Sequence, residues 1–303
     1  MKPSLPASTT PSNVSGILMM LLAISMFSFM DASLKELAAH YPAFQVSALR
    51  ALASWPLIFI WVLLSTGLRP LLSVRWPLHL LRGVLGVFMM ASFVYALRSL
   101  PLTTAYTLFF VAPLLVVVLS GTLLGERIGV ARWAAIAVGF AGVLLALRPS
   151  GEGLALWAGL AVLLTATFYA ISAVTVRILA RTDSTQSMVF WVISIMAVGS
   201  LAIAWPSWQT LQSEHYLLIA LAGLFGGLGQ YALTEAFRRA EASVIASLEY
   251  TGLVWTVLFD AFIWNILPDG MTWLGAAIIV ASGLYLLNAE RRLAKSYNAQ
   301  VNP

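Results

Sequence analysis

The chain has 303 residues, of which 60% are hydrophobic and only 10% charged, with a net charge of +5. Soluble domains carry roughly a quarter charged residues, so this composition excludes an ordinary water-soluble globule. Cysteine is absent, which excludes disulfides, thiolate metal sites and a cysteine nucleophile.

Ten apolar stretches follow one another at 14–37, 43–66, 77–98, 103–125, 129–148, 154–180, 185–206, 214–239, 242–265 and 271–288. Each is near or above the roughly 20 residues that cross about 30 Å of hydrocarbon as a helix. Lipid offers the backbone no partners, and none of the runs alternates with period two, so helices are expected rather than barrel strands. Residues 1–13, rich in Pro, Ser and Thr, read as a tail and not as a removable leader. A second tail is expected over 289–303. The expected class is an all-α membrane protein of ten transmembrane helices.

In the first stretch Asp31 and Lys35 stand one helical turn apart, which predicts an i,i+4 ion pair. Arg50 lies seven residues into the second stretch, roughly 10 Å along a helix. It cannot lose its charge and needs an anion, for which Asp31, Asp260 or a substrate carboxylate are the candidates. The eighth stretch carries Gly223, Gly226, Gly227, Gly229 and then Gln230. That pattern fits either a thin helix wall beside a cavity or tight helix packing with Gln230 bonded to a neighbour. Near its end Glu235 precedes Arg238 and Arg239, a spacing that predicts a solvated ion pair.

Glu249 lies about eight residues into the ninth stretch, with no basic residue within a turn. An intramembrane carboxylate without a cation is a candidate proton carrier of the kind used by pumps and transporters. The competing role is a glutamic acid bonded to another helix. Asp260 follows three turns later and is expected on a similar face. Tyr95, Tyr106, Phe109, Tyr169, Tyr231, Tyr250 and Trp255 lie at depths where a cavity lining would fall, and buried Tyr hydroxyls need partners. The candidates for substrate binding or coupling are therefore Glu249, Arg50, Asp31, Asp260, Gln230, Tyr106, Tyr231, Tyr250 and Trp255.

Thirteen of the seventeen Lys and Arg residues fall on one side if the N-terminus is cytoplasmic, against three on the other. Such a bias in short loops places both termini in the cytoplasm of an inner-membrane protein. The basic charge therefore sets orientation and implies no nucleic acid partner. A shift of 140 residues also aligns the chain with itself from Leu81 to Leu147: Gly83 and Gly86 fall on Gly223 and Gly226, Trp133 on Trp273. Two repeats follow, 14–148 and 154–288, joined by the turn-rich stretch 148–153. Each holds an odd number of spans, so the copies are expected in opposite orientations, an architecture of secondary transporters.

The motifs have a family look. Phe109-Phe-Val-Ala-Pro113, then Gly125-Glu126 and Trp133, together with Gly229-Gln-Tyr-Ala-Leu-Thr-Glu-Ala-Phe-Arg238, Glu249-Tyr-Thr251 and Trp273 through Gly283, resemble the EamA-type drug/metabolite transporter family. The resemblance covers about residues 14–290. It implies gradient-coupled movement of small polar metabolites, commonly export, through a central cavity lined by spans one to four and six to nine. Two positions depart from the repeat: Leu253 stands opposite Pro113, and Asn265-Ile266 opposite Gly125-Glu126.

Enzymes fit poorly. His40, His79 and His215 share no ligand spacing, and no nucleophile elbow, His-Glu-x-x-His pair or phosphate loop occurs. No cofactor or metal is expected. The expected function is export of a small polar or zwitterionic metabolite, amino-acid-like or opine-like, by a monomer or homodimer in the lipid bilayer. A proton is the candidate coupling ion. Uptake of a vitamin or nucleoside-like solute such as riboflavin or S-adenosylmethionine is the alternative, and a non-transporting scaffold or receptor the alternative from another class.

Overall fold

A computed structural model of the chain describes residues 13–124, 130–147, 153–239 and 248–301. Gly125-Glu126, almost all of the 148–153 hinge and almost all of the first tail lie outside the described residues. The elements in order are α1 (Asn13–His40), α2 (Ala43–Ser65), the short α3 (Arg69–Leu72), α4 (Trp76–Leu97), α5 (Leu102–Phe109), α6 (Ala112–Leu124) and α7 (Val130–Leu147). They continue with α8 (Gly153–Leu179), α9 (Thr185–Ala204), α10 (Tyr216–Arg239), a 3₁₀ turn at Glu249–Thr251, α11 (Gly252–Trp264) and α12 (Gly270–Val301). No strand occurs among the described residues. Among the described residues, six helices are long and apolar enough to cross a bilayer: Val14–His40, Ala43–Ser65, Trp76–Leu97, Leu156–Val176, Thr185–Ser207 and Ser213–Arg239. The chain is a multi-pass helical membrane protein. Helix α12 runs on through most of the expected second tail.

Local sequence sets the ends. Pro42 and Pro101 precede α2 and α5, and Pro77 sits in the first turn of α4, where a missing N–H costs nothing. Ser184 caps α9 by accepting from the Ser187 amide at 3.2 Å, and Asp269 accepts from the Thr272 amide at 2.7 Å. Asn265 ends α11 in the left-handed region at φ 54°. Asparagine is the side-chain-bearing residue that tolerates this conformation best, so it can do at this helix end what a glycine would do.

The stretch expected as one span at 103–125 is two helices, broken at Phe110–Val111. Pro113 explains the break: it cannot donate to the Phe109 carbonyl and its ring crowds that turn. The ninth stretch is distorted at the corresponding place, the 3₁₀ turn Glu249–Thr251, although Leu253 stands where the proline would be.

Helix α1 packs on α10 and α4 on α8, while α2 packs on α9 and α7 on α12. Helices α2 with α10 and α4 with α9 complete the main contacts. Glycine sets the closest of these approaches. A Cβ on Gly223 would lie 2.7 Å from the backbone carbon of Ala53, and Ser54 Oγ donates to the Gly223 carbonyl at 2.7 Å. Gly223→Ala is expected to force α2 from α10 and cost about 1–3 kcal/mol, read as a lower unfolding temperature in detergent. An unchanged temperature would show that this crossing relaxes freely.

Hydrogen bonds define two rims. At one, Tyr41 Oη and His215 Nδ1 are 2.8 Å apart, Gln45 bonds the backbone of Gln209 in both directions, and Arg98 donates to the carbonyls of Ala38 and Tyr41. At the other, Glu235 pairs with Arg239 at 2.8 Å and accepts from Thr185 Oγ1 at 2.9 Å. The Glu235–Arg239 pair expected from the sequence forms, but the carboxylate is buried at 6% exposure and is not solvated. Nearby, His79 Nε2 lies 2.8 Å from Asp183 Oδ2. Burial opposes ionisation of Asp183, yet bonds from Thr182, His79 and the Arg75 amide hold its pKa below the usual carboxylate range.

Candidate functional site

A cavity of about 190 Å³ lies in the middle of the bundle. One water needs only about 10–15 Å³, so this is room for a solute and not a packing defect. Its wall comes from α1, α2, α4, α5, α8, α9, α10 and the turn at Glu249. The lining on α1 runs from Met20 to Asp31 and on α10 from Gln230 to Phe237, so the cavity extends toward the rim that holds Glu235. Most of the wall is apolar, with Met20, Met30, Met89, Met90 and Met196 alongside Phe27, Phe93 and Phe109. Methionine and aromatic walls adapt to solute shape but cannot recognise charge.

Among the described residues, four charged side chains line the cavity: Asp31, Glu249, Arg50 and Arg82. Asp31 Oδ2 accepts from Tyr106 at 2.6 Å, and Glu249 Oε1 accepts from Tyr169 at 2.8 Å. The 3₁₀ turn holds Glu249 at the cavity wall. Arg50 is 3% exposed and its Nε donates to Met30 Sδ at 2.8 Å. Thioether sulfur is a weak acceptor and leaves the charge unanswered. Asp31 attracts Arg50 through space, but neither arginine forms an ion pair among the described residues.

The glycines of α10 let neighbouring groups approach closely. Gly223 allows tight packing, whereas Gly226 makes room for Arg50: a Cβ there would sit 2.9 Å from Arg50 Nε. Gln230 lines the cavity beside it.

Of the nine sequence candidates, Glu249, Arg50, Asp31, Gln230 and Tyr106 are brought together at this cavity. The other four lie elsewhere. Tyr231 packs edge-on against Trp61 at 4.9 Å, Trp255 against Phe29 at 5.4 Å, and Tyr250 against Phe110 at 5.0 Å. Asp260 does not share the cavity face with Glu249. It is fully buried, caps α5 by accepting from the amides of Leu102 at 3.1 Å and Thr103 at 2.7 Å, and pairs with Lys35 at 3.0 Å.

That last contact corrects the expected Asp31–Lys35 pair. Asp31 is instead bonded to Tyr106, and the fully buried Asp260 is the carboxylate that Lys35 meets. Lys35 also lies 4.2 Å over the Trp264 ring, which holds its stem away from the cavity. Arg82 is the residue that sequence reasoning missed. It was counted among the basic residues that orient the chain, but it is 4% exposed, donates from Nη1 to the Met188 carbonyl at 2.8 Å and lines the cavity. Its position about six residues into an apolar stretch was the signal that could have found it.

Known proteins agree with a transport cavity. The chain is 30% identical to the pseudopaline exporter CntI of Pseudomonas aeruginosa over 91% of this chain and 97% of that protein. It is 30% identical to an S-adenosylmethionine uptake transporter of Rickettsia conorii, over 92% and 94% of the two chains. A riboflavin transporter of Rhizobium johnstonii is 31% identical over 71% of each. A solved structure at 22% identity superposes with a TM-score of 0.68 over 92% of this chain and 99% of that one, a likeness of fold alone. The EamA-like transporter family model matches residues 14–148 and 156–289. With both halves of the chain matched, the protein belongs to the EamA-like transporter family, and it is a transporter of a small molecule and not an enzyme.

Proposed function

We propose that the chain is an inner-membrane secondary transporter that exports a small zwitterionic metabolite by alternating access. Ten crossings form two inverted five-helix repeats, with both termini cytoplasmic. The packing supports this arrangement. Exchanging the halves turns the α1–α10 contact into α8–α4 and α2–α10 into α9–α4, while α2–α9 and α7–α12 map onto themselves. The positive-inside bias supports the orientation.

The observation that carries the substrate class is the cavity's charge: Arg50 and Arg82 against Asp31 and Glu249 in an otherwise apolar wall. A solute with both an amine and a carboxylate answers both signs, whereas a neutral solute would leave buried charges unmatched. Export is favoured by the likeness to an exporter over nearly the full length of both chains. Proton coupling is assigned to Glu249, the cavity carboxylate that accepts from the Tyr169 phenol and pairs with no cation among the described residues.

The test is metabolite profiling of cytoplasm and medium from deletion and overproducing cells, followed by flux of the identified solute in proteoliposomes. Deletion should raise a zwitterion inside the cell, and overproduction should raise it outside. Arg50→Gln should cut its flux about tenfold or more, the equivalent of ~1.4 kcal/mol, with membrane insertion intact. A reversed pattern would favour uptake, the second reading that the Rickettsia relative supports at equal identity. A solute carrying no charge would sink the proposed substrate class.

A further inference from the structure

Arg82 is the most poorly matched charge in the cavity. Arg50 at least feels Asp31, but no carboxylate among the described residues attracts Arg82. Its Nη1 reaches a neutral carbonyl and its Nε is buried with no hydrogen-bond partner among the described residues. A guanidinium cannot shed its proton to relieve this, and its planar fork fits a carboxylate in two-point contact. Buried ionisable groups in membrane helices that lack a protein partner mark solute or ion pathways. The two arginines also stand apart in the fold. Arg50 on α2 meets Met30 and Gly226, and Arg82 on α4 meets Met188 of α9.

The structure assigns Arg82 as a second carboxylate subsite, so that the transported solute carries two carboxylates and one amine. This rests on the zwitterion reading above and narrows it. Arg50 takes one carboxylate near Asp31, the amine lies toward the acidic groups, and Arg82 takes the second carboxylate. Formal charge agrees. With Glu249 ionised the four groups are neutral together; with Glu249 protonated one positive charge is left over, which a solute of net charge −1 cancels. Proton and solute would then share the cavity without an uncompensated charge. A purely structural Arg82, holding α9 through the Met188 carbonyl, predicts no such preference.

The experiment compares two probes on purified full-length protein by calorimetry: L-phenylalanine, and N-(carboxymethyl)-L-phenylalanine, which adds a second carboxylate to the same amine. The wild type should bind the dicarboxylate about tenfold or more tighter. Arg82→Gln should abolish that advantage, so that the two probes bind the variant within about twofold of one another. A preference for the dicarboxylate that survives Arg82→Gln overturns the assignment, as does a wild type that binds both probes equally. Failure of the wild type to bind either probe would instead overturn the zwitterion reading itself. Should Arg82→Gln not fold, the methyl ester of the added carboxylate gives the same information on wild type alone. It must bind about as weakly as L-phenylalanine, and an ester as tight as the free acid refutes the subsite.

Discussion

Asp260→Ala should lower the unfolding free energy by about 3–5 kcal/mol, the usual cost of removing one partner from a buried ion pair. The carboxylate is fully buried and does two jobs at once. It neutralises Lys35, itself only 11% exposed, and accepts from the first two amides of α5. Alanine leaves an ammonium and two N–H groups unanswered in a medium with no water to replace the lost oxygens. Asp260→Asn, which keeps one acceptor for the helix end, should cost clearly less. Tryptophan fluorescence during thermal unfolding in detergent reads both, and an alanine variant within about 1 kcal/mol of wild type would remove Asp260 from the stability of this rim.

Glu249→Gln is expected to abolish proton-driven flux, by about tenfold or more, while leaving insertion and solute binding in place. Glutamine keeps the shape and an acceptor for Tyr169, so the hydrogen bond at 2.8 Å can persist. What it cannot do is take up and release a proton. Counterflow without a gradient separates the cases: exchange should survive when net pH-driven movement is lost. Retained pH dependence in the glutamine variant would move the coupling to another group, and Asp31 is the other carboxylate among the described residues of the cavity wall.

Hydropathy reads the long helices well, because bilayer thickness imposes a length that composition cannot disguise. It does not read the interruption at Phe110–Val111 or the turn at Glu249–Thr251, since both fall inside unbroken apolar runs. Pro113 signals the first, but nothing as local signals the second. Of the five candidate residues that reach the cavity, four carry a charge or an amide, which is informative at membrane depth, and the fifth, Tyr106, comes with Asp31, to which its hydroxyl donates. Tyr231, Tyr250 and Trp255 miss it, as aromatic rings pack equally well against neighbours. Asp260 was misplaced by counting turns straight through the distorted stretch, and Lys35 by counting along one helix when its partner lies 225 residues away. Arg82 was lost to the opposite error: a rule about loops was applied to a side chain already inside the bundle.

The interruptions in the fourth and ninth stretches bear on how such a molecule can move. A continuous rod tilted at one mouth swings its far end by the same angle, so both mouths would shift together. Two short rods joined at a break are free of that constraint: Asp260 fixes the start of α5, and the tilt of α6 beyond Phe110–Val111 is not tied to it.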